Sequence, residues 1–73
     1  MIRRPYSRED VKSFSHRDLW DSYHSMEFSV MAESWLLAEI IDRVGMKAYI
    51  EKRRDHTALV FVLRLFKNLM EEE

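Results

Sequence analysis

The residues of this chain best suited to bind a metal or move a proton are its 3 histidines and 13 acids. His16 and His24 stand eight positions apart, about 80° around a helix, and His56 lies far along the chain. No third ligand falls at a recognisable metal-site spacing, and there is no cysteine to supply a thiolate. This spacing predicts solvent-facing or capping histidines, with neither metal nor cofactor. No nucleophile–base arrangement, Gly-rich phosphate loop or carboxylate pair stands out. A chain of 73 residues also rarely encloses a substrate pocket of roughly 300 Å³ or more. The expectation is a protein that is not an enzyme.

Binding chemistry is the alternative, and the opening of the chain offers it. Met1, Ile2, Arg3, Arg4, Pro5 and Tyr6 combine two guanidinium groups with apolar and aromatic side chains. Arg and Tyr are enriched at interface hot spots, and an extended arm can dock in a groove or along a strand edge. Pro5 biases Arg4 toward extended backbone. The candidate partner-binding residues are therefore Ile2, Arg3, Arg4 and Tyr6 as contacts, with Arg8 and Lys12 for electrostatic steering.

The charges are sorted along the chain although the net charge is only −1. Between Arg17 and Arg43 stand Asp18, Asp21, Glu27, Glu33, Glu39 and Asp42, with no Lys or Arg among them. Basic residues crowd both flanks. The acid stretch reads as the solvated side of two helices, and it argues against phosphate lying across that face.

The elements that must position these residues are helical. One Gly and one Pro in the chain, with 47% apolar residues, argue against a turn-rich β protein and against disorder. Ser7 with Asp10, and Ser15 with Asp18, fit the helix-start pattern of a hydroxyl followed by a carboxylate three residues on. They predict a short helical turn at 8–14 and a first helix from Ser15, with Leu19, Trp20 and Tyr23 on one side and Met26 at its end. Phe28 and Ser29 make a joint. A second helix is predicted from Val30 to Val44, with Met31, Trp35, Ala38 and Ile41 as its inner stripe, Leu37, Ile40 and Val44 beside it, and Glu33, Glu39 and Asp42 outside. Gly45 stands where a left-handed residue would end that helix.

A basic helical segment follows at 47–54, and Asp55 to Thr57 break or cap it. Residues 58–70 carry strand propensity in their Leu-Val-Phe-Val-Leu run. The spacing of Leu59, Val62, Leu63, Phe66, Leu69 and Met70 fits a helix better. Trp35, Leu63 and Phe66 are the expected core. The fold expected is all-α: one domain over 1–73, with an arm at 1–6, three or four helices over 7–70 and a frayed acidic tail at 71–73. A C-terminal β-hairpin in an α+β domain is the alternative. A core of this size is worth on the order of 3–5 kcal/mol net. No apolar run reaches the roughly 18 residues of a membrane span and the start lacks a signal-peptide core, so a cytoplasmic location without membrane contact is expected.

The segment 40–54 also fits a helix-turn-helix, with Val44, Gly45 and Met46 at the turn and Lys47, Lys52, Arg53 and Arg54 facing DNA. Ile41 stands where a small residue is usual, and Glu51 where an apolar one should pack. Direct nucleic-acid binding is the weaker expectation.

In its length, its basic and aromatic opening, its lack of Cys and its aromatic-rich composition, the chain resembles the small host-takeover regulators of transcription encoded by bacteriophages, of the kind found in a lytic Xanthomonas phage. A monomer is expected, and the resemblance implies a non-enzymatic protein that binds the N-terminal region of the host RNA polymerase β′ subunit. It further implies inhibition of promoter initiation through loss of σ factor, and passage of elongating polymerase through terminators. A second resemblance, from Ser15 to Tyr23 and at Trp35, is to the helical hairpin of small histidine-kinase inhibitors of sporulation; its register drifts after Leu36.

Overall fold

The structure, a computed structural model, describes all residues except Met26, Arg54 and Glu73. The expected helix end at Met26, the basic Arg54 and the last residue of the acidic tail therefore lie outside the described residues. A 3₁₀ turn, Asp10–Ser13, is followed by α1 (His16–Tyr23), α2 (Val30–Val44), α3 (Lys47–Arg53) and α4 (His56–Glu71). The all-α class is thus established, and no strand occurs among the described residues. The hairpin alternative fails because residues 58–70 lie inside α4. The helix buries Ala58, Val62, Phe66 and Met70 while leaving Arg64 and Asn68 exposed, whereas strand alternation would put all six on one face.

The chain packs as two compact units, Met1–Glu39 and Ile40–Glu73. In the first, Ser7 Oγ accepts from the Asp10 amide at 3.1 Å, and Ser15 Oγ accepts from the Asp18 amide at 3.0 Å to cap α1. Each hydroxyl satisfies an amide that has no partner of its own in a helical first turn. Ser29 does the same for Ala32 at the start of α2, at 3.2 Å. Val11, Phe14, Leu19, Ala32 and Leu36 are the buried apolar residues here.

The inner face of α2 differs from the expected stripe. Met31 is 64% exposed and Trp35 only half-buried, while Ala32, Leu36 and Glu39 face inward. The helix is turned by about one position, some 100°. The physical reason is Glu39. The pattern places it outside as an acid, but Arg8 meets it inside at 2.8 Å, so this side of α2 can be buried without stranding a charge.

In the second unit Gly45 has φ 73°. Its amide bonds the Asp42 carbonyl and the Met46 amide bonds that of Ile41, both at 3.2 Å. This is a Schellman ending of α2. Asp55 caps α4, its Oδ1 accepting from the Ala58 amide at 2.7 Å. That hydrogen bond, helped by Arg53, holds the Asp55 carboxyl below its ordinary pKa. Ile40, Ala58, Val62, Phe66 and Met70 are buried, and Leu63 is half-buried rather than core. Glu71 closes α4 and the Glu72 amide bonds back to Asn68 and Leu69.

Nothing lies within 4 Å of a Cβ added at Gly45, so Gly45→Ala meets only the left-handed backbone penalty. It is expected to cost about 1–2 kcal/mol, read as a lower urea midpoint with an unchanged slope.

Candidate functional site

The arm that the sequence offers to a partner is held against α1 by three devices. The Met1 α-ammonium sits between two carboxylates one helical turn apart, 3.0 Å from Asp18 Oδ1 and 2.7 Å from Asp21 Oδ2. The Arg3 amide donates to Ser22 Oγ at 2.7 Å. The Arg3 guanidinium lies 4.2 Å from the centre of the Phe14 ring and 3.9 Å from Asp18. Pro5 is buried. The hydrogen bonds it donates to Asp21 and then Asp18 raise the α-ammonium pKa above its ordinary value.

Two of the acids expected merely to face solvent thus receive the arm. Sequence reasoning missed this role. The available signal was the three-residue spacing of Asp18 and Asp21, which puts both on one side of α1 opposite a cluster of positive charge.

The six predicted partner-binding residues separate into two groups. Ile2, Arg4 and Tyr6 point outward: Ile2 is 49% and Tyr6 81% exposed. The Arg4 side chain is exposed and has no ion pair among the described residues. The other three bond within the chain. Arg3 lies on Phe14, Arg8 is paired with Glu39, and Lys12 bonds Glu9 Oε1 at 3.0 Å on the surface. Met1, 80% exposed, joins the outward group through its side chain.

Two further exposed apolar residues of this unit, Val30 and Met31, begin α2. Val30 also lines an open groove of about 220 Å³ with Glu33, Ser34 and Leu37. A small, partly open pocket of about 10 Å³ among Ser22, Tyr23, Phe28, Glu33 and Leu36 has room for one water. Burial, and then the Glu33 carboxylate, push the Tyr23 hydroxyl pKa upward.

The histidines occupy helix ends. His16 opens α1 and His56 opens α4. His24 Nδ1 lies 2.8 Å from the Trp20 carbonyl oxygen, which can only accept, so Nδ1 carries a proton. Its ring stands 4.2 Å from that of Trp20. Among the described residues no three of His, Cys, Asp or Glu gather as metal ligands, and no helix is long and apolar enough to cross a membrane.

Compared with protein-family models, curated proteins and solved structures, the chain matches none.

Arg8→Ala removes the guanidinium that meets Glu39, which is only 8% exposed. A loss of about 1.5–3 kcal/mol in chemical denaturation is expected, and Arg8→Ala with Glu39→Leu is expected to recover part of it. The arm has its own pH dependence. A raised α-ammonium pKa means that its contribution is complete below the ordinary value of about 8 and is lost as pH rises through the raised one. Protection of the Arg3 amide against hydrogen exchange, corrected for intrinsic rate, should therefore fall on the alkaline side. In Asp21→Asn it should be lower already at neutral pH.

Proposed function

We propose that this chain is a non-enzymatic regulator that acts by protein–protein contact, docking its N-terminal arm on the N-terminal region of the bacterial RNA polymerase β′ subunit. Bound there, it inhibits promoter initiation by host holoenzyme through loss of σ factor and lets elongating polymerase pass terminators. The choice of polymerase rests on the resemblance in length, opening residues and composition. The contact surface rests on one observation: Met1, Ile2 and Tyr6 are exposed on an arm whose backbone is tied down through Arg3 and Pro5.

An unstructured arm would lose conformational entropy on binding. A pinned arm has already lost much of it to folding. Each large apolar side chain then buried at an interface contributes about 1.5–3 kcal/mol, and Arg4 adds a charge available to an acidic rim. Met1, Ile2 and Tyr6 thus supply the apolar anchors, Arg4 the orientation, and Asp18 with Asp21 the support.

A second reading, duplex DNA binding by a helix-turn-helix, is favoured by α2, the Gly45 turn and α3 in sequence. Against it, α3 has no buried residue among those described, and the second helix of such a motif must pack on its neighbours to be aimed into a groove.

Arg4→Glu combined with Tyr6→Ala removes only outward side chains. It is expected to weaken binding to purified polymerase and to an isolated β′ N-terminal fragment by about 30-fold or more, with the helical circular dichroism spectrum unchanged. Unchanged affinity would sink the arm as the contact surface. Tight retention of duplex DNA without polymerase, falling steeply with salt, would favour the second reading.

A further inference from the structure

α3 has no fully buried residue, and only Tyr49 and Ile50 among its described residues are half-buried. What α3 does carry is an aromatic contact to α4. The Tyr49 and Phe61 rings lie 5.8 Å apart, tilted by 55°, and Phe61 remains 44% exposed. Arg53 extends this surface. Its guanidinium lies 5.6 Å from the centre of the Tyr49 ring, and its Nη1 donates to the Tyr49 hydroxyl at 3.0 Å.

The charge around the rings is positive on the sides that face them. Lys52 and Arg53 stand three and four residues after Tyr49, on its side of α3. Arg64 stands three after Phe61, on its side of α4. Glu51, two after Tyr49, falls about 200° around α3, on the far side. Asp55 is the acid of the neighbourhood, and it is occupied by the Ala58 amide and by Arg53 Nη2 at 3.4 Å. Lys52 and Arg64 are exposed, with no ion pair between them and any described acid.

We propose that this surface binds single-stranded nucleic acid, with bases stacking on Phe61 and Tyr49 and phosphates meeting Lys52, Arg53 and Arg64. The occupant follows from the pairing of the two features. An exposed ring selects a flat apolar face, and flanking cations select an anion. A nucleotide strand carries both in every repeat. A duplex hides its base faces in the stack and would leave Phe61 unused, which separates this surface from a groove-reading helix. No group near the rings calls for a 2′-hydroxyl, so DNA and RNA strands should serve alike. The acid stretch that argues against phosphate at residues 18–42 does not contain these residues. The inference is independent of the arm and its partner.

The test is fluorescence anisotropy on the full chain with labelled oligothymidylate and oligouridylate of about ten nucleotides, within the usual site sizes, and a duplex of equal length. The two single strands should bind with similar affinity and the duplex about tenfold more weakly or worse. Log affinity should fall with log salt at a slope of about −2, as three phosphate contacts on a single strand require. Phe61→Leu keeps apolar packing beside Tyr49 but removes the ring face, and should weaken single-strand binding about fivefold or more. Lys52→Glu with Arg64→Glu, both exposed, should weaken it and flatten the salt slope. Arg17→Glu, an equal charge reversal on an exposed residue of the other unit, should do neither. Absence of single-strand binding at about 50 mM salt, equal or tighter binding of the duplex, or unchanged affinity of Phe61→Leu would each overturn the proposal.

Discussion

A carboxylate cannot be taken out of water alone, and the first unit is arranged around that constraint. Glu39 is buried, and the Arg8 guanidinium reaches it from 31 residues earlier in the chain. The pair sets the rotation of α2, because the face that carries Glu39 also carries Ala32 and Leu36. It also joins α2 to the segment just before the 3₁₀ turn, whose Val11 and following Phe14 are buried. Burying an ion pair costs desolvation that mutual attraction only partly offsets. Its structural value lies in selection: the alternative face of α2, with Met31 inward, would leave Glu39 in water and Arg8 without that partner.

The same logic of placed charge governs the arm. Asp18 and Asp21 stand at three-residue spacing and hold the Met1 ammonium, while Arg3 adds its contact with Phe14. Exposed ion pairs of this kind contribute little individually. Here they act with a backbone hydrogen bond to Ser22 and with a buried proline, so several weak ties restrain one short segment. The consequence for binding concerns presentation more than strength. Arg3 and Pro5 are anchored, and the alternate residues Ile2, Arg4 and Tyr6 stay exposed. A basic, aromatic opening is thereby divided into a half that holds the arm and a half that is free to meet another molecule.

This division explains which features could be read from the residues alone. Ser15, Ser29, Gly45 and Asp55 act on backbone within five residues of themselves, so their helix ends are visible in short strings of sequence. The helical choice for residues 58–70 was legible for a similar reason, since Val62, Phe66 and Met70 recur at one-turn spacing. Glu39 was not legible. Its neighbours along the chain resemble those of any solvent-facing acid, and the Arg8 that meets it inside comes from 31 positions away. The error at Glu39 then carries to Met31 and Trp35, because rotating a helix moves every position together. The docking of the arm spans 19 and 20 positions and escaped for the same cause. Of the candidate binding residues, Arg3 and Arg8 are drawn in by a ring and an acid distant in the chain, while Ile2, Arg4 and Tyr6 stay outward.

The contrast between α3 and α4 extends the argument to function. In α4 the positions 58, 62, 66 and 70 belong to the interior, so their identities report on packing. In α3 no described position does. Short isolated helices are marginal in water, and α3 is tied to α4 by the contact of Tyr49 with Phe61. A ring used in this way is still half available to solvent, and the cations near it meet few acids. A purely structural need would be met as well by an aliphatic pair with mixed charges around it. The choice of aromatic and basic residues on the side of α3 that faces α4, with Glu51 turned away, is better explained by the chemistry of what the surface touches than by the stability of the helix that bears it.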